Sequence, residues 1–501
     1  MTTFALGIDQ GTSGSRALLL DETGEVCGYA YRPLTAVHPQ PGWTEQNPHE
    51  VATAVADVIT EAVTQAGIDP AHIAACGITC QRNTDFVWHA DTGQPLSNAI
   101  TWQDLRTRDL LKELQQWPHY DETRYRLGYA PGTYMTALHL GWRMAHETAV
   151  REAANCDKLR VGMSAAWLVQ ALGQPNGHKM DTSLVQSTGL YDFRHGRYWQ
   201  AWADRLQIPL SAMPAATPTL HHFGTIAVTA NGRTAHVPVR AMIGDQQAAL
   251  FGHGCTTPGD AETTHGTASF LKVFLGQTAL EQDNVNVYYA WDVGDGQTYC
   301  LEAPTTVIGA AIRWMRDNAR FLDSYDEIES LVTAVSGSDG VLFVPAFTGL
   351  DAPYNNPDAR ATILGMTLGT SRAHIVYAFL EALAFQLRAI KETIAQDAGI
   401  KMRQLLVGGG VSASNTACQL QANMLNMPVV RPDFRETTAR AAALLAGMGG
   451  GLWPTMADLP PLPNGSTCFT PHIGDEERKK AFARWQTAVS LVQQYSVDSI
   501  Q

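Results

Sequence analysis

The sequence predicts an α/β protein made of two related halves, and three stretches carry that prediction. Phe4 to Arg16, FALGIDQGTSGSR, is an apolar run that breaks into an aspartate, one glutamine and then Gly-Thr-Ser-Gly-Ser. A strand ending there presents Asp9, two or three hydroxyls and several bare backbone N–H groups together, which suits a metal-bound polyphosphate. The same segment also reads as an ordinary hairpin turn. Ala261 to Val273, AETTHGTASFLKV, repeats the pattern, with Gly266 and Thr267 between two apolar runs. Two such turns suggest two halves holding one phosphate chain from opposite sides. The third stretch, Leu405 to Leu425, reads as a buried strand, a triple-glycine turn and a helix with Ser412 or Ser414 as N-cap. Glycine at that turn lets the backbone approach a flat ligand such as a nucleoside, where a Cβ would obstruct it.

In chain order, Phe4 to Ile8, Ser15 to Leu20 and Glu25 to Tyr31 form a three-strand meander whose second turn is Asp21-Glu22-Thr23-Gly24. Asn47-Pro48-His49-Glu50 supplies a cap, a proline at the first helical position and a carboxylate three residues on, so a helix runs through Val51 to Gln65. Ala74 to Cys80 is a buried strand, and Gln81-Arg82-Asn83-Thr84 is the loop at its carboxyl end, where open α/β sheets bind ligands. Ala241 to Gly252, AMIGDQQAALFG, places Asp245 between a short apolar run and a helix. A carboxylate there is either an N-cap or a base that takes the proton of an attacking hydroxyl. Ile375 to Ile394 has apolar residues at helical spacing and reads as a packing helix. Pro454 to Pro463 is proline-rich and precedes a charged amphipathic helix, Asp475 to Gln494, a surface element or oligomer contact.

Composition narrows the function. With 501 residues the chain exceeds one typical core, and 45% apolar with 17% charged residues is ordinary for a globular protein. A net charge of −13 with no basic run argues against nucleic acid or anionic membrane and for a small-molecule partner. No basic leader and no apolar run of about 20 residues is present, so the expectation is a cytoplasmic protein without membrane insertion. The eight cysteines are scattered and read as reduced thiols. No GxxxxGK[ST] occurs, and the glycine triplet comes too late for a dinucleotide fingerprint, so any nucleotide is held by another fold.

These residues resemble the FGGY family of carbohydrate kinases along nearly the whole chain, and within it the glycerol kinases. The resemblance rests on Asp9-Gln10-Gly11-Thr12-Ser13 with Arg16, Pro41-Gly42-Trp43-Thr44-Glu45, Gln81-Arg82 and Trp102-Gln103-Asp104-Leu105-Arg106-Thr107. It continues through Gly244-Asp245-Gln246-Gln247-Ala248-Ala249-Leu250-Phe251-Gly252, Pro345-Ala346-Phe347-Thr348-Gly349-Leu350, Ala352-Pro353-Tyr354 and Gly409-Gly410 to Asn415. It implies two ribonuclease H-like domains of the actin, hexokinase and Hsp70 type flanking an ATP cleft. Residues 1–250 would carry the substrate and first phosphate loop, and 251–501 the second phosphate loop and adenosine site. It also implies ATP and Mg²⁺, a small polyol or sugar as acceptor, and a homodimer or homotetramer. Asp245 would be the general base, and Asp9 would position Mg²⁺ through its hydration shell. Thr12, Ser13, Arg16, Gly266 and Thr267 would hold phosphates, with Gly309, Arg313, Gly410 and Asn415 around the nucleoside. Arg82, Asn83, Trp102, Tyr134, Asp245, Gln246 and Phe270 would surround the acceptor.

The chain departs from the glycerol kinase pattern in places. Asn83 stands where those enzymes carry a glutamate, and an amide offers both donor and acceptor but no charge. Glycerol is therefore the first expected acceptor and a ketose or tetritol the second, with Asp85 and Asp104 as neighbouring carboxylates that could stand in for the glutamate. Asn355 replaces a tryptophan, Gly408 an aspartate, and Arg313 a more usual glutamine, while His265 and Ala268 alter the second phosphate loop. The glycine-rich segment that binds fructose bisphosphate in some relatives is replaced by Thr229-Ala230-Asn231-Gly232-Arg233, so regulation by that sugar is not expected. A nucleotide-binding protein of actin or chaperone type is the remaining alternative, but it has no need of Arg82, Trp102, Tyr134 and Asp245-Gln246 together.

Overall fold

The computed structural model describes residues 2–265, 269–280, 286–305, 308–462 and 465–495. The strands that matter here are β1 (Phe4–Gln10), β2 (Gly14–Leu20), β3 (Val26–Pro33), β4 (Ile73–Cys80), β5 (Gly173–Pro175), β6 (Leu220–Ala230), β7 (Arg233–Gly244), β8 (Asp260–His265), β9 (Phe270–Gly276), β10 (Asn286–Tyr289), β11 (Tyr299–Pro304), β12 (Gln404–Gly409), β13 (Val429–Pro432) and β14 (Ser466–Phe469). The helices are α1 (Pro48–Ala66), α2 (Thr136–His146), α3 (Thr182–Ser187), α4 (Asp245–Gly252), α5 (Ile308–Asp317), α6 (Glu327–Thr333), α7 (Arg372–Ala398), α8 (Asn415–Leu425), α9 (Thr437–Gly450) and α10 (Asp475–Gln494).

Contacts divide the chain into two units. The first comprises Met1–Gly252, Tyr288–Tyr299 and Glu436–Pro463, and the second His253–Val287, Cys300–Arg435 and Asn464–Gln501. A single cut at 250/251 therefore differs from the division by contacts, because two later stretches return to the first unit. The reason for the longer one is close packing. A Cβ on Gly7 of β1 would lie 2.1 Å from Ala439 O, and one on Gly77 of β4 2.0 Å from Ala442 O, so these glycines let the alanine-rich helix α9 lie against the sheet.

The first unit holds a seven-stranded sheet in the order β3-β2-β1-β4-β7-β6-β5. The meander β1-β2-β3 is antiparallel, whereas β4 runs parallel to both β1 and β7. Gln10 pairs with Cys80, and Cys80 with Gly244, so the carboxyl ends of three parallel strands stand side by side. The buried faces of β1 and β4 fit central strands covered by helices. Asn47 caps α1 by accepting from His49 N at 2.9 Å, with Pro48 at the first helical position. At the tip of the β6–β7 hairpin, Asn231 and Gly232 both have positive φ, and Arg233 is ion-paired to Asp69.

A second seven-stranded sheet has the order β10-β11-β9-β8-β12-β13-β14, and its strands β8, β9, β12, β13 and β14 lie in the second unit. Its strand β8 has an antiparallel neighbour, β9, on one side and a parallel one, β12, on the other, as β1 has β2 and β4. Ser414 caps α8 by accepting from Ala417 N at 3.0 Å, which selects it over Ser412. Among the described residues α7 alone is long and apolar enough to span a membrane, and 78% of its apolar window is buried inside the protein. It packs Phe379, Leu383 and Phe385 into the core. One face of α10, with Phe482, Trp485, Val489 and Val492, is buried in the same core, so that face is an internal contact.

Candidate active site

The first unit builds its polar centre from the carboxyl ends of β1, β4 and β7, and the residues there come from far apart in sequence. Asp9 pairs across the sheet with Arg16, whose guanidinium lies 3.5 Å from Asp9 Oδ2 and 3.1 Å from Glu436 Oε2. Burial, only partly offset by Arg16 and reinforced by the negative charges of Asp245 and Glu436, pushes the Asp9 carboxyl up to about 7. This surplus of negative charge fits a cation. Among the described residues no group of three or more His, Cys, Asp or Glu side chains could hold a metal, so a Mg²⁺ here would take phosphate and water oxygens besides one or two carboxylates.

A chain of hydrogen bonds ties the turn after β1 to Gln46, Gln81 and Trp102. Trp102 Nε1 donates to Thr12 Oγ1 at 2.9 Å, and Thr12 Oγ1 donates to Gln81 Oε1 at 2.9 Å. Gln81 Nε2 donates to Gln46 Oε1 and Gln46 Nε2 to Thr12 O, both at 2.8 Å. The Thr12 hydroxyl proton is thus engaged within the protein, so a phosphate oxygen at this turn would be met by backbone N–H groups instead. Ser13 is exposed beside it.

Asp245 begins α4, and its Oδ1 accepts from Gln246 N at 2.7 Å and lies 3.9 Å from Arg82 Nε. Its side chain is 27% exposed. The corner before it is held from behind, because Gly244 N donates to Ser183 Oγ at 2.9 Å and Ser183 Oγ donates to Asp181 Oδ1 at 3.0 Å. A Cβ on Gly244 would press on Gln247 Oε1 at 2.7 Å and on the Arg82 stem at 3.2 Å.

Asp181 is fully buried, and burial pushes its carboxyl up to about 7 despite donors from Ser183, Leu184 and Thr219. The folded protein therefore retains a proton that the unfolded chain releases. That contribution to stability is complete below about pH 4 and is lost as the pH rises through about 7. Asp181→Asn is expected to remove this slope, so the gap between variant and parent urea midpoints changes from about pH 4 to 7 and is constant above; a gap independent of pH would contradict the assignment.

Asn83 adopts a left-handed conformation with φ of 59°, and among the described residues its buried Oδ1 accepts no hydrogen bond. The neighbouring carboxylates Asp85 and Asp104 are both engaged within the protein. Asp85 is bound by His139 Nδ1 and Arg143 Nε, each at 2.7 Å, and although burial opposes its charge these partners hold its carboxyl below the usual range. Asp104 accepts from Thr44 N at 2.6 Å and from Arg106, whose guanidinium also reaches Glu45. Tyr134 follows Thr133, whose carbonyl accepts from Thr107 and His139, and donates its own hydroxyl to Ala130 O at 3.1 Å.

Phe270, Gly309, Arg313, Gly410 and Asn415 belong to the second unit, whereas Gly266 and Thr267 lie outside the described residues. Gly409 has φ of 83° and a Cβ there would strike His265 O at 2.4 Å; at Gly410 no atom of the described residues lies within 4 Å of the Cβ position. Arg313 is exposed on α5. Burial lowers His265 to about 4, so it is neutral near pH 7. Gly408 faces His253, whose Nε2 would lie 3.4 Å from its Cβ.

Residues 4–252 match the N-terminal domain and residues 261–450 the C-terminal domain of the FGGY family of carbohydrate kinases. The chain belongs to that family. A glycerol kinase of Symbiobacterium thermophilum is 36% identical to this FGGY kinase over 99% of each chain. The crystal structure of Plasmodium falciparum glycerol kinase with ADP superposes with a TM-score of 0.91 at 27% identity, covering 98% of each chain. The xylulose kinase of Rhodospirillum rubrum shares the fold, with a TM-score of 0.86 at 24% identity and coverage of 98% of this chain and 99% of that one. The two-domain FGGY kinase fold is the one expected from the sequence. Sequence reasoning missed Glu436 beside Arg16, the Asp181–Ser183 support and Tyr288 near Arg82, because each meets its partner only through the tertiary fold.

Proposed function

We propose that this FGGY kinase transfers the γ-phosphoryl group of MgATP to a hydroxyl of a small polyol or sugar, glycerol first, with Asp245 as general base. The observation that carries the reading is Asp245 itself, partly exposed at the end of β7 and 3.9 Å from Arg82. In the transfer, an acceptor hydroxyl gives its proton to the Asp245 carboxylate as its oxygen bonds to the γ-phosphorus, and the bond to the β-phosphate oxygen breaks with its electron pair leaving on ADP. Arg82 and Trp102 orient the acceptor, and Arg16 with the first turn steadies phosphate charge. Mg²⁺ would be positioned by Asp9 and would neutralise charge on the phosphate oxygens. The enzyme would work in the cytoplasm as a homodimer or homotetramer, without membrane insertion.

The test is ADP release from MgATP across glycerol, erythritol, threitol, dihydroxyacetone, xylulose and ribulose. Glycerol leading supports the first reading, and no turnover on any acceptor removes the kinase assignment. A second reading, a ketose or tetritol as acceptor, is favoured by the uncharged Asn83 and by the full engagement of Asp85 and Asp104. Under it Asn83→Glu is expected to raise the glycerol-to-xylulose ratio of kcat/KM by about tenfold, the difference between a neutral and a charged hydrogen bond. An unchanged ratio would place acceptor choice elsewhere in the pocket.

A further inference from the structure

Arg82 is one of the motif residues, but what orients it lies far along the chain. Its guanidinium carbon sits 4.7 Å from the centroid of the Tyr288 ring. That ring is stacked on Tyr129, with centroids 4.9 Å apart and planes inclined by 23°. Both tyrosines are buried, at 4% and 0% exposure, so the pair is a fixed shelf. Tyr129 donates to Gln186 O at 2.8 Å, and Gln186 Oε1 accepts from Tyr289 N at 2.7 Å. Gln247 Nε2 on α4 donates to Tyr289 O at 3.1 Å, so the helix carrying Asp245 is tied to the segment that carries Tyr288. All of these residues belong to the first unit.

We propose that Tyr288 is a positioning residue for acceptor binding, holding the Arg82 guanidinium in the orientation in which it meets the substrate hydroxyls; this rests on the kinase reading above. The chemistry of the contact explains why an aromatic ring serves here. A guanidinium has all its N–H donors in its plane, and a ring on its face stabilises the charge without consuming them. A carboxylate in the same place would accept those N–H groups and compete with the substrate oxygens. The shelf therefore acts on acceptor affinity, whereas the phosphate side, built from Asp9, Arg16 and Glu436, is separate from it.

The experiment is steady-state kinetics of the full chain with the best acceptor of the panel, comparing the parent with Tyr288→Leu, Tyr288→Phe and Tyr288→Met, alongside thermal unfolding. Tyr288→Leu is expected to raise KM for the acceptor about tenfold, with KM for ATP and kcat within about twofold, and Tyr288→Phe to retain the parent values because it keeps the ring face. Tyr288→Met, apolar and flexible but without a ring, should behave as Leu and carries the comparison if the Leu variant does not fold. Unchanged acceptor KM in both Leu and Met variants, loss in the Phe variant, or a joint fall of kcat and ATP affinity would each overturn the role. A parent chain that releases no ADP with any acceptor overturns the kinase reading itself, and this role with it.

Discussion

Asp245→Asn is expected to lower kcat by roughly 10²- to 10⁴-fold while leaving ADP affinity within about twofold, the span that removal of a general base commands. The substitution is nearly isosteric, and the amide oxygen can still accept from Gln246 N, so the corner between β7 and α4 should survive. If Asp245 is the base, what disappears is a carboxylate oxygen able to take the acceptor proton, together with the negative partner 3.9 Å from Arg82. The separate anchoring of Gly244 by Ser183 is untouched by the substitution and continues to hold the corner. The discriminating measurement is single-turnover phosphoryl transfer together with ADP titration. A variant that keeps more than about a tenth of the parent kcat would exclude Asp245 as the base, and one that loses ADP affinity in parallel would assign it a structural part.

The largest expected effect on stability lies at Arg143. Its side chain is fully buried on α2 and holds Asp85 at 2.7 Å, Glu147 at 2.9 Å and Asn98 O at 2.7 Å. Arg143→Leu would leave the Asp85 carboxylate buried with His139 as its remaining side-chain partner. Breaking one side of such a pair costs about 3–5 kcal/mol, because the surviving charge has lost its counter-ion without regaining water. A urea midpoint measured by tryptophan fluorescence should fall accordingly. The double variant Asp85→Asn with Arg143→Leu should recover part of the loss, since the stranded charge is gone. Equal midpoints for the single and double variants would mean that the charge of Asp85 is not what makes the site costly to break.

The sequence discloses elements whose signals are local. Asp475 to Gln494 was legible to the residue, because a run of acidic and basic residues carries a buried face of Phe482, Trp485 and Val489. The start of α1 was equally legible, since Asn47 and Pro48 are both cap and first turn. The placement of the candidate site was legible where motif residues stand at the ends of parallel strands, as Asp9, Gln81-Arg82 and Asp245 do. It was opaque where chemistry depends on distant pairing. Glu436 gives no hint that it meets Arg16, Tyr288 lies in a stretch with no motif, and Asp85 offers itself as a substitute carboxylate until Arg143 and His139 are seen to occupy it.

The packing of α9 against Gly7 and Gly77 has a consequence for biosynthesis. The ribosome delivers β1 and β4 early, but the helix that covers them emerges only with residues 437–450. Until then the growing chain carries a central sheet with one apolar, glycine-notched face open to water. A nascent polypeptide of this kind is a natural client for a holding chaperone, and a gene fragment ending at residue 252 should yield insoluble product unless a segment spanning α9 is supplied in trans. The first half of this enzyme is finished by its last fifth.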